Sequence, residues 1–64
     1  MPAVLIRMAE NIGQLLQLAD DVQRPVLEKH LDMVVAAGKR SIEDENDLET
    51  LQKRAQGAAK QHNS

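Results

Sequence analysis

The sequence predicts an all-α protein, a small two- or three-helix antiparallel bundle that dimerisation completes. Three observations predict it. First, Leu5, Met8, Ile12, Leu15, Ala19, Val22 and Val26 recur at spacings of three and four, the repeat of one helix face. Second, the chain has no Phe, Tyr or Trp, while Leu, Ala, Gln, Glu and Lys, all good helix formers, are abundant. A two-sheet sandwich calls instead for β-branched and aromatic residues with frequent turn signals. Third, the chain has 64 residues and no cysteine. A fold this small hides only ~60% of the surface its extended chain exposes. Proteins of this size close the gap with disulfides, a metal or a second subunit. With no cysteine, and with His30 and His62 far apart in sequence, a second subunit is what remains.

The first helix is expected over residues 3–19. Ile6, Ala9, Leu16 and Leu18 widen its apolar stripe beyond a narrow two-stranded seam, and a stripe so broad packs against more than one neighbour. Gly13 interrupts it at a cost of ~1 kcal/mol relative to Ala and reads as a tolerated blemish. Pro25 removes a backbone donor and pushes Arg24 away from helical geometry. A break is therefore expected over residues 20–25, with Asp20 or Asp21 capping the next helix and Pro25 in its first turn. Because the apolar spacing passes through the proline, a single kinked helix over 3–37 is the alternative.

The second helix, residues 25–37, is apolar on two sides. Leu27, Leu31 and Val34 form one row, and Val26, Met33 and Ala37 another. Such a helix is sandwiched, or packs internally on one side and against a partner on the other. Gly38 is expected to end it in the left-handed conformation, with Lys39 and Arg40 at the negative end of the dipole. The third helix is expected over residues 42–56. Ser41 reads as its N-cap, and Glu43, Asp44 and Glu45 crowd a first turn where the dipole favours anions. Leu48, Leu51, Ala55 and Ala58 form a thin seam, and Glu49 stands four residues before Lys53 in the stabilising order. Gly57 reads as the end, with residues 58–64 as a frayed tail.

Function is narrowed mainly by exclusion. A net charge of −2 gives no pull toward phosphate backbones, and Arg24, Lys39 and Arg40 are too few and too dispersed for a footprint. A recognition helix starting Ser41-Ile42-Glu43-Asp44-Glu45 would present like charge to DNA. The acidic run at residues 43–49 lacks the glycine and the alternating ligands of a calcium loop, and helix-start electrostatics account for it. His30 has no nucleophile or polarising partner marked by the pattern, and three aliphatic helices leave little room for a cleft of ~300 Å³; it is expected to be structural or solvent-facing. No enzyme, metal or cofactor is expected. No apolar segment nears the ~20 residues a bilayer requires, Met1 to Ile6 lacks the basic stretch of a secretory signal, and a surface helix would need more than Arg7 opposite its apolar face. A cytoplasmic location is the expectation.

The expected function is that of a small non-enzymatic regulatory or adaptor protein. It would self-associate and bind a protein partner through aliphatic faces of its first two helices. Leu5, Met8, Ile12, Leu15 and Leu16 would supply the larger surface, with Leu27, Leu31 and Val34 as the internal packing, although either apolar row could be the one that faces a partner. A small DNA-binding regulator and a purely structural oligomerisation module are the alternatives.

Overall fold

Three helices follow one another: α1 (Pro2–Leu18), α2 (Gln23–Ser41) and α3 (Glu45–Gln61). The structure, a computed structural model, describes residues 2–61, and their side chains as far as Ala58. The links, residues 19–22 and 42–44, are short enough to force neighbouring helices antiparallel, so α1 and α3 run in the same direction. No strand occurs among the described residues. The Cα radius of gyration is 11.4 Å, against about 10.7 Å expected of a compact chain of this length.

The first link forms as its residues dictate. Asp20 Oδ1 accepts hydrogen bonds from the N–H groups of Val22 (3.0 Å) and Gln23 (2.8 Å). The N–H of Arg24 donates to the Asp20 carbonyl at 3.0 Å, closing the first turn. Asp20 is thus the residue that caps α2, satisfying donors the helix cannot satisfy itself. Pro25 follows in the opening turns, and the chain is broken before it instead of continuing as one kinked helix. Arg24 folds back over the link, reaching Asp21 Oδ1 (3.3 Å) and the Ala19 carbonyl (3.5 Å).

The second boundary corrects the sequence expectation in three places. Gly38 does not terminate α2: no glycine among the described residues has positive φ, and the helix runs through it to Ser41. The glycine serves packing, because a Cβ built on Gly38 would overlap Leu51 Cδ2 of α3. Ser41 does not cap α3 either; its hydroxyl donates back to the Ala37 carbonyl at 2.7 Å. The helix ends at Ile42, extended at φ −88°, ψ 120°, whose N–H donates to the Gly38 carbonyl at 2.8 Å. The cap of α3 is Asp44. Its Oδ1 accepts from the N–H groups of Asn46 (2.8 Å) and Asp47 (3.4 Å), and its carbonyl accepts from Leu48 N–H (3.0 Å). A carboxylate outcompetes a hydroxyl here because it adds negative charge at the positive end of the dipole. Helix three accordingly begins at residue 45, not 42.

A further correction concerns the far end. α3 continues through Gly57 to Gln61, and Ala58, expected to fray, is a buried core residue. Burial of Ala58 stabilises the last turns beyond what local propensity alone would hold. The remainder of the expected tail, residues 62–64, lies outside the described residues.

The core draws on all three helices: Ala9, Ile12 and Leu16 from α1, Leu31 and Val34 from α2, and Leu51, Ala55 and Ala58 from α3. Leu5, Ile6, Leu27, Val35 and Ile42 pack around its edge. Leu16 and Leu51 are its largest fully buried side chains. Arg54 and Glu10 join α3 to α1 at 3.2 Å, and the Glu49–Lys53 pair forms within α3 at 3.0 Å.

Candidate functional site: an apolar face on the first two helices

The broad stripe of α1 is divided by the bundle. Ile12 and Leu16 turn inward and are buried, as are Leu31 and Val34 of α2. Leu5 and Leu27 are half-buried at the core edge. Met8 and Leu15 face outward and are exposed. Of the eight residues singled out from sequence, four are therefore internal packing, two are boundary and two lie on the surface. Exposed with Met8 and Leu15 are Val4, Leu18, Val22, Val26 and Met33, which sequence reasoning had left out of the candidate surface. The signal was present. Val22 and Val26 continue the α1 spacing through the link, and Met33 stands in the second row of α2.

Antiparallel pairing of α1 and α2 gathers these side chains, Val4 excepted, into two grooves. Near the link, Leu15 and Leu18 meet Val22, Val26 and Leu27 in a recess of about 410 Å³. Toward the other end, Leu5 and Met8 meet His30, Met33, Ala37 and Arg40 in a recess of about 530 Å³. No residue of α3 lines either groove, so both lie on the α1/α2 face, which α3 leaves uncovered. The other inter-helix surfaces differ. Between α1 and α3 the lining includes Glu10, Gln14, Gln17, Lys53 and Arg54. Between α2 and α3, Asp32, Lys39, Gln52 and Gln56 surround Leu31 and Val35. The two leucines of α3 point inward, Leu51 fully and Leu48 partly buried.

Clustering separates this face from ordinary surface. Met8, Leu15, Leu18, Val22, Val26 and Met33 are each between 45% and 85% exposed. Apolar side chains scattered singly over a surface are ordinary, whereas these cluster about the grooves between two helices.

Surface recesses between the helices, of about 530 and 640 Å³ in two cases, exceed the ~300 Å³ lower bound of ligand clefts. The expectation that aliphatic helices leave too little room is corrected; the grooves arise between helix ridges. In the two grooves of the α1/α2 face, His30 and Arg40 are the ionisable residues. Exposed His30 lies among Met8, Met33 and Arg40, with no carboxylate, hydroxyl or thiol lining that groove. Among the described residues no three His, Cys, Asp or Glu side chains converge as metal ligands would, and no helix is long and apolar enough to cross a membrane. The arrangement can exclude water against another apolar surface, and that is the chemistry it offers.

Comparison with known proteins finds no matching family model, no matching curated protein and no matching solved structure.

Proposed function

We propose that this is a non-catalytic interaction protein, a small regulator or adaptor that self-associates and engages protein partners through the outer face of α1 and α2. One observation carries the proposal: every exposed large aliphatic side chain among the described residues lies on α1, on α2 or in the link between them. Scattered surface leucines need no explanation, but their confinement to two of three helices and the link between them does. Burial on association contributes about 25 cal/mol per Å² of apolar surface removed from water, before the entropic costs of binding. That drive is available only while the face keeps its apolar character.

Met33→Glu tests the reading. Met33 is 60% exposed, so the charge leaves the core intact, and the unfolding free energy of the single chain should hold within the ~0.5 kcal/mol typical of surface substitutions. Sedimentation equilibrium should show the wild-type chain above its 7.1 kDa monomer mass and the variant at it. A wild-type chain that stays monomeric at high micromolar concentration contradicts self-association. Ile12→Asp is unsuitable as a test because Ile12 belongs to the core.

A further inference from the structure

We infer that Met8 and Met33 form a paired oxidation site, at which a hydroperoxide converts both thioethers to sulfoxides and turns their groove polar while the bundle stays folded. The consequence for association rests on the proposed interaction face; the modification itself does not. Sulfur chemistry in this chain is narrow, with no cysteine and three methionines. Met1 lies outside the described residues. The other two stand on different helices, yet both line the groove farther from the link, beside Leu5, Val34 and Ala37. Met8 is 45% and Met33 60% exposed, so a small peroxide meets each side chain without any opening of the bundle.

The reaction balances with the hydroperoxide alone. A lone pair on the thioether sulfur attacks the outer peroxide oxygen, the O–O bond breaks, and a sulfur–oxygen bond forms. The proton on the transferred oxygen passes to the oxygen that leaves, as an alcohol or, from hydrogen peroxide, as water. Sulfur is oxidised by two electrons and the peroxide is reduced by two. Each product side chain is polar and chiral where a flexible apolar one stood. No methionine belongs to the buried core, so the change spares the packing that holds the three helices together. The other exposed large apolar side chains among the described residues, Val4, Leu15, Leu18, Val22 and Val26, are hydrocarbons that a hydroperoxide leaves alone. Oxidation therefore acts on one groove of the face and not on the recess beside the link.

Hydrogen peroxide added to dilute protein, followed by peptide mapping with mass spectrometry, tests this. The control is the double variant Met8→Leu/Met33→Leu, which keeps side-chain size and apolar character but cannot react there. Met8 and Met33 should oxidise within about tenfold of the rate of N-acetylmethionine amide, with the far-ultraviolet circular dichroism unchanged. The oxidised chain should leave a native phenyl hydrophobic-interaction column earlier than the untreated chain, and peroxide should not alter the elution of the double variant. By sedimentation, oxidation should weaken self-association about tenfold, and the two methionine sulfoxide reductases, one for each sulfoxide epimer, should restore it. Reaction at either methionine more than about tenfold slower than the amide overturns the inference. Loss of helical signal on oxidation, or column retention that peroxide leaves unchanged, also overturns it. An untreated chain that is monomeric throughout strikes the proposed self-association, while the map and the column still decide the oxidation site.

Discussion

Substituting alanine at Gly38 and at Gly57 should change stability in opposite directions, although both glycines lie inside helices. Helical propensity alone favours alanine over glycine by ~1 kcal/mol. At Gly57 nothing lies within 4 Å of a built Cβ, so Gly57→Ala should realise that gain, raising the thermal midpoint by about 4–8 °C for a domain of this size. At Gly38 the built Cβ overlaps Leu51 Cδ2, with Ile42 Cδ1 at 3.4 Å and Leu48 Cδ1 at 3.7 Å. A terminal methyl group can often swing aside, but Leu51 is 0% exposed, so its movement has to be absorbed by the core around it. Overpacking of this kind costs about 1–3 kcal/mol. After the propensity gain, Gly38→Ala should destabilise by about 0–2 kcal/mol. Thermal denaturation followed by circular dichroism, at one fixed protein concentration, measures both. A double-mutant cycle with Leu51→Val isolates the clash, because removing a methyl group should make alanine at 38 less costly. If Gly38→Ala raises the midpoint as much as Gly57→Ala does, the close approach of α2 and α3 at this point is wrong.

The helix caps make a second comparison. Asp44→Ala and Asp20→Ala should each cost ~1 kcal/mol in chemical denaturation, the usual value of a lost N-cap. Ser41→Ala should stay within ~0.5 kcal/mol, since its hydroxyl bonds back within α2 and caps nothing; a larger loss at Ser41 than at Asp44 reverses the assignment. Leu16→Ala, emptying a fully buried position, should cost about 2–5 kcal/mol. In so short a chain that should leave the protein largely unfolded at 25 °C, as read by far-ultraviolet circular dichroism, and a cooperative transition little changed from wild type would contradict the core.

How far the chain could be read in advance depended on whether a residue's role was local. Asp20 and Pro25 act within one turn of themselves, and the break they mark is where it was expected. Gly38, Ser41 and Gly57 each carry a local signal that suits a helix boundary, yet all three lie within helices. At Gly38 the deciding partner is Leu51, a contact that no spacing within α2 encodes. At Ser41 a bond to Ala37 competes with the capping role. At Gly57 the burial of Ala58 carries the helix onward. The exposed apolar face was legible only in outline. The width of the α1 stripe announced more than one neighbour, but dividing it into inward Ile12 and Leu16 and outward Met8 and Leu15 requires the position of α3. The Glu10–Arg54 pair, joining distant parts of the chain, had no sequence signal at all.

Methyl resonances offer the most direct view of the face itself. In a dilution series from millimolar to low micromolar protein, the Met8 and Met33 methyl signals should shift together along one dissociation curve. The methyl groups of Leu51, fully enclosed by the bundle, should hold their positions. Methionine signals unmoved across the whole range, or movement confined to α3, would contradict the claim that the uncovered side of α1 and α2 is where this protein meets its partners.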